Sequence, residues 1–270
     1  MITAVDVLAR FEDLPSRAGA ATRVLVLADD ADTTATDLAH AIGTDPAFAA
    51  LVISLANSAY YGLGGRVTTL HYAVSVIGFQ TIRSLAVTLA AGLDNPKSVP
   101  AGFWEQAATA AAASNLLAPM LGASAGDAFS LGLVHTLGSA LLHQHSPLPA
   151  LCLPFPDDAY ELDVKERELY GIGHAAAGAQ VLAGWRFPER LCTLIAGHHS
   201  PPLPNAAPLE RVLHASRALS DLVLSADPNR ERIEHSLVWM SEGRIAPSDV
   251  DALARDLERD AESLLALLPT

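Results

Sequence analysis

Apolar residues three and four positions apart, in runs cut short by glycine and proline, restrict this chain to helices. Leu38 and Ile42 share one helical face, and Gly43 closes their turn. Asp45-Pro46 then supplies a capping carboxylate and a proline suited to the first helical position, so a helix is expected there with Phe48, Leu51, Val52 and Leu55 inward. Gly62-Leu63-Gly64-Gly65 is too glycine-rich to stay helical and reads as a loop. Ala73, Val74 and Ile77 form the next inward face up to Gly78, and Ile82, Leu85, Ala86 and Leu89 the one after it. At the far end Val250, Leu253, Leu257, Leu264, Leu265 and Leu268 keep helical spacing behind Ser248, a candidate N-cap with Asp251 three residues on. One segment conflicts: Arg23-Val24-Leu25-Val26-Leu27 has strand propensity, although nothing nearby supplies a partner strand.

The chain is 50% hydrophobic but only 6% aromatic, so its core must come mainly from Ala, Leu and Val on closely spaced helices. The expected fold class is all-α, a two-lobed helical bundle. Asp94-Asn95-Pro96-Lys97-Ser98-Val99-Pro100 breaks the pattern and places the division near residue 98: an N-terminal helical lobe, 1–98, and a second helical lobe, 99–270, ending in the amphipathic helix. Proline-rich surface loops are expected at Ser146 to Pro156 and Ser200 to Pro208.

Seventeen basic residues against thirty acidic ones give a net charge of −13, which repels polyphosphate backbones. Arg10, Arg17, Arg23, Arg66 and Arg83 are scattered rather than clustered, so no nucleic-acid partner is expected. Met1 to Pro15 carries acids and lacks the basic-then-apolar order of a signal peptide. The Ala-rich stretch Ala107 to Leu121 is short and interrupted by Asn115 and Pro119, so no membrane span is expected. Cys152 and Cys192 have no zinc-like spacing and read as reduced, buried hydrophobes, which fits a cytoplasmic location.

Chemistry concentrates in the histidines of the second lobe. His135 lies in Gly132-Leu133-Val134-His135-Thr136-Leu137-Gly138, His174 in Gly173-His174-Ala175-Ala176-Ala177-Gly178, and His198-His199 in Ile195-Ala196-Gly197-His198-His199-Ser200-Pro201. Each alone is more often a satisfied structural histidine than a ligand. Three other motifs are weaker. Gly122-Ala123-Ser124-Ala125-Gly126 matches a nucleophile elbow in letters but lacks the preceding strand. Gly171-Ile172-Gly173 with Gly178 has the wrong spacing for a phosphate loop and suits helix packing. His143-Gln144-His145 points its two rings to different sides of a helix.

Taken together, in order and with their flanks, the four histidines resemble the HD phosphohydrolase superfamily. In that superfamily a first His, a His-Asp pair, later histidines and a final Asp hold divalent metals. Here Thr136 stands where the metal-bridging carboxylate belongs, exchanging an anionic ligand for a neutral hydroxyl. No His falls near Trp104-Glu105-Gln106-Ala107, where the resemblance places the first one. No Asp falls near His214-Ala215-Ser216-Arg217, where it places the last, and Asp221 lies too far along.

The likeness extends to the HDOD domain, over about residues 11–220. It is carried by Asp45-Pro46-Ala47-Phe48, by Leu55-Ala56-Asn57-Ser58-Ala59-Tyr60-Tyr61-Gly62 and by Ala73-Val74-Ser75-Val76-Ile77-Gly78. Glu168 with His174, Trp185-Arg186-Phe187-Pro188 and the paired histidines add to it. The Gly-Tyr-Pro extension of cyclic di-GMP phosphodiesterases does not follow His198-His199. The resemblance implies a regulatory module without catalytic residues, metal or cofactor, acting through a signalling protein partner or a cyclic dinucleotide. His135, Thr136, His174, His198 and His199 would then form a vestigial, ligand-binding pocket. Asn57, Ser58, Tyr60 and Tyr61 would be an interaction or structural signature, Asn57 either tying two helix ends together or facing a partner. The alternative is a metal-dependent phosphohydrolase on a nucleotide or cyclic dinucleotide, using the remaining histidines.

Overall fold

Turn chemistry sets where most helices begin. A computed structural model describes residues 19–93, 98–145, 159–200, 202–225 and 229–268. In order these form α1 (Ala20–Leu27), α2 (Ala35–Ile42), α3 (Pro46–Asn57), α4 (Leu70–Ile77), α5 (Phe79–Ala90), α6 (Phe103–Leu121) and α7 (Ala125–Val134). Then follow α8 (Leu137–His145), α9 (Ala159–Tyr170), α10 (His174–Gly184), α11 (Glu189–Ala196), α12 (Pro208–Leu224), α13 (Arg230–Met240) and α14 (Val250–Leu265). Short 3₁₀ turns stand at Ala59–Tyr61 and Pro247–Asp249, and there is no strand among the described residues. The all-α expectation therefore holds. The Asp94 to Lys97 break, the Ser146 to Pro156 loop, Cys152 and Met1 to Pro15 lie outside the described residues.

The caps are those the side chains dictate. Asp45 Oδ1 accepts from the backbone N–H groups of Ala47 and Phe48 at 2.9 and 3.2 Å, with Pro46 opening α3. Thr34 and Asp37 form a reciprocal capping box on α2. Ser124 caps α7, so the Gly122-to-Gly126 motif is a helix start following a helix.

Two local readings need correction. Arg23 to Leu27 is helical, because Val24 and Leu25 bury on one face of α1 and no neighbouring backbone offers a ladder to a strand. Ser248 does not cap the last helix. It sits inside the 3₁₀ turn, where the Asp249 carboxylate accepts from the backbone N–H of Ala246 at 2.8 Å and α14 begins at Val250.

Buried apolar side chains gather in two large clusters. The first runs from Val24 and Leu38 through Phe48, Ile82 and Leu85 to Trp104, Phe129, Leu182 and Leu268, so residues on both sides of position 98 share it. The second joins α6 to α12, α13 and α14 through Leu117, Leu121, Val212, Leu219, Leu237 and Leu257. Backbones approach closely where glycine allows it: a Cβ on Gly132 would meet Ala110 O at 2.5 Å, and one on Gly138 would meet His174 O at 1.9 Å. The second crossing sets α8 against the start of α10, with Gly178 also facing Gly138, which is the packing role read for that glycine.

A buried arginine ties the early helices to the later ones. Arg83 on α5 pairs with Asp29 at 2.5 Å and donates to the carbonyls of Trp185 and Arg186, lying over the Phe187 ring at 4.9 Å. Those carbonyls belong to the turn from α10 into α11, where Arg186 adopts φ +56°. No single helix among the described residues is long and apolar enough to cross a membrane.

Candidate functional site

Helix ends and turns deliver the histidines to one place. His135 and Thr136 form the turn between α7 and α8, His174 opens α10, and His198-His199 follow the end of α11. The ring centroids of His198 and His199 are 4.0 Å apart, those of His174 and His199 4.7 Å, of His174 and His198 5.3 Å, and of His135 and His198 5.5 Å. His135, His174 and His198 are each under 5% exposed, so the cluster is packed into the fold rather than lining an open cleft. Thr136 is buried beside them, and its hydroxyl has no hydrogen-bond partner among the described residues.

Each ring is oriented by a local partner. His135 Nδ1 bonds Gly132 O at 2.7 Å, and His198 Nδ1 bonds Ile195 O at 2.6 Å, each reaching back one turn. His174 Nδ1 bonds Glu166 Oε2 at 2.6 Å, and the same oxygen accepts the His174 backbone N–H at 2.7 Å. Glu166 thus serves the first turn of α10, where a carboxylate also complements the helix dipole. His199 Nε2 lies 2.8 Å from His174 Nε2.

Glu168, which the resemblance groups with His174, is exposed; the carboxylate that meets the His174 ring is Glu166. The face of α9 decides between them. Glu166 lies four residues before the buried Tyr170, whereas Glu168 adjoins the exposed Leu169.

Arg217 was quoted in the sequence only for the absence of an aspartate there. Its guanidinium enters the cluster from α12, donating to the backbone carbonyl of His198 through Nη1 and standing 3.4 Å from His199 Nδ1 through Nη2. Its spacing of four from the buried Leu213 marks the inward face of α12 but not the rings it meets there. Asp221, one turn further, is its electrostatic counterpart.

Burial and this cation push His135, His198, His199 and His214 toward the neutral form. Desolvation pushes His135 down to about 3 and His198 well below the usual histidine range, with Arg217 adding to both. His199 is pushed down to about 2 by burial, then by His174 and Arg217. His214, on α12, falls to about 4 by burial and then Arg217.

The donor set does not fit a pair of hard cations. Such ions take mostly oxygen ligands; here the residue expected at the bridging position is a threonine, and the region expected to carry the closing carboxylate presents a guanidinium. One nitrogen from each of His174, His198 and His199 does lie within 4.8 Å of the others, a grouping of the kind softer transition metals accept.

Asn57, Ser58, Tyr60 and Tyr61 lie elsewhere. Asn57 Nδ2 donates to Ile53 O at 3.1 Å and Val67 O at 2.7 Å, while its Oδ1 accepts from Val67 N–H at 2.9 Å. The residue ties the end of α3 to the strap leading into α4, the first of its two sequence readings. Ser58 Oγ donates to Leu55 O at 2.7 Å, and Tyr60 packs against Tyr61 and Phe129 at 4.8 and 5.1 Å between centroids.

A family model described as the HDOD domain matches residues 14–201. A curated relative from Treponema pallidum, an uncharacterized protein, is 24% identical over 246 residues; the match covers 87% of this chain and 47% of the relative, so the chain spans about half that protein's length. Among solved structures, a Shewanella amazonensis protein named as a candidate phosphohydrolase is similar at TM-score 0.72 with 23% identity and 97% of both chains covered. An HDOD domain protein from Geobacter sulfurreducens gives TM-score 0.62 at 18% identity, covering 96% of this chain and 97% of that one. A candidate signal transduction protein from Marinobacter aquaeolei gives 0.58 at 27% identity, covering 88% of this chain and 58% of that one.

Proposed function

Given that the chain belongs to the HDOD domain family, we propose that it is a non-hydrolytic signalling module that acts by binding another protein. The observation that carries this is Arg217: a guanidinium lies against His198 and His199, near the residues expected to supply the closing carboxylate. Phosphoester cleavage on this type of scaffold requires metal ions that polarise the phosphate and generate hydroxide. Thr136 contributes no anionic ligand, and a fixed positive charge in the cluster repels the cations that remain to be held. The family resemblance supports a signalling protein partner, and a cyclic dinucleotide is the second ligand class.

The alternative, a metal-dependent phosphohydrolase, draws on the three imidazoles grouped at His174, His198 and His199. Incubating the purified chain with manganese and either bis(p-nitrophenyl) phosphate or a cyclic dinucleotide separates the readings. No release of product above the protein-free control is expected. Turnover that disappears in His199→Ala would establish the enzyme instead.

A further inference from the structure

We infer that Arg217 is the resident cation of the histidine cluster, and that its hydrogen bond to His199 fixes the ring protons so as to shut a three-imidazole metal site.

The direction of every proton follows from the arginine. A guanidinium has donors only and stays charged, so its approach to His199 Nδ1 requires a lone pair on that nitrogen. A neutral ring with a bare Nδ1 carries its proton on Nε2 and donates it across 2.8 Å to His174 Nε2. His174 therefore keeps its own proton on Nδ1 and donates it to Glu166 at 2.6 Å. The result is a directed chain of donors, Arg217 to His199 to His174 to Glu166, set by the contacts alone.

Metal binding needs the opposite arrangement at His199. To become a ligand its Nε2 must give up the proton, whose remaining place on the ring is Nδ1, and an N–H there would face a group with no lone pair. The His174 Nε2 lone pair is likewise occupied as the acceptor from His199. Without the guanidinium, His199 is free to hold its proton on Nδ1. His174 can keep its bond to Glu166, which is the carboxylate–histidine arrangement that raises ligand basicity. One nitrogen each from His174, His198 and His199 then forms a three-imidazole set within 4.8 Å, suited to zinc or cobalt. This inference rests on the same guanidinium as the non-hydrolytic reading, but the two fail separately: phosphodiester turnover would sink that reading, and the cobalt titration tests only the arginine's hold on the ring protons.

Cobalt(II) titration of the full chain, followed by visible absorption, tests it. The wild type is expected to show no band from four-coordinate cobalt, whereas Arg217→Met binds one ion per chain with affinity raised at least about 100-fold. Combining Arg217→Met with His174→Ala is expected to abolish that band. Equal affinity in wild type and Arg217→Met would overturn the inference. Nitrogen-15 spectra of histidine-labelled wild type supply a reading that needs no variant. His199 should be protonated on Nε2 and His174 on Nδ1 at neutral pH, and a His199 proton found on Nδ1 would overturn the chain of donors just as directly.

Discussion

Asn57 uses both ends of its amide on nearby backbone. Val67 is only 2% exposed, so its N–H and C=O have little access to water if that amide is removed. An unsatisfied buried backbone group costs about 1–3 kcal/mol. Asn57→Ala should therefore lower the unfolding free energy by about 2 kcal/mol, read as a drop in urea midpoint at unchanged m-value. A loss below about 0.5 kcal/mol, the range of neutral surface changes, would contradict this account. At this scale the sequence was informative about residue types and poor about directions. Asn57 was left with two readings, because an amide's two functions point equally well to a backbone or to a partner. Thr136 was read as a replaced carboxylate only through the likeness of its flanks to an active family's motif. Arg217 was not legible, since its meaning depends on a contact across 18 residues that local spacing does not encode.

Glycine at helix crossings has consequences that differ sharply with place. Gly138 faces the backbone of His174, and a methyl group there would sit 1.9 Å from its carbonyl oxygen, a contact that only displacement of α8 from α10 can relieve. Gly126 lies in the first turn of α7 with nothing within 4 Å of the added carbon. Gly138→Ala should cost at least about 3 kcal/mol by overpacking, whereas Gly126→Ala should gain about 0.5–1 kcal/mol from helix propensity and unfolded-state entropy. Thermal unfolding of the two variants side by side checks the opposite signs, and two shifts in the same direction would sink the explanation. Most helices were legible for the same local reasons, as Asp45-Pro46 opening α3 and the 250–268 stripe closing the chain show. Arg23 to Leu27 stayed ambiguous and Ser248 misled, because propensity and capping letters are weak where burial, for α1, or a preceding 3₁₀ turn, for α14, decides the outcome. Glu166 and Glu168 illustrate the same point on α9: both are acidic, and only the buried face containing Tyr170 separates them.

The molecule as a whole carries several imidazoles that folding keeps uncharged, and this gives its stability a pH dependence of definite sign. In the unfolded chain a histidine titrates near 6.5. In the folded one His135 is pushed down to about 3, His199 to about 2 and His214 to about 4, and His198 lies well below its usual range, burial being the first cause in each. Above 6.5 both states are neutral at these positions and the stability is fully present. As pH falls from 6.5 toward the folded values, the unfolded chain takes up protons that the folded chain refuses, so stability is lost. Asp221 works in the opposite sense, because burial raises its carboxyl and its contribution is lost as pH rises above 3.8; its window runs upward into the histidine range, where this single group offsets part of the slope of the several histidines. Urea unfolding between pH 7.5 and 4.5 should thus show a steady fall below about 6.5. Each histidine of this kind contributes a slope of up to about 1.4 kcal/mol per pH unit. His214→Gln should flatten the curve by up to one such increment while leaving the neutral-pH fold intact, since that ring is the least enclosed of the set. A curve level from pH 7.5 to 4.5 would mean that these rings accept protons within the fold, which is incompatible with a guanidinium lodged permanently among them.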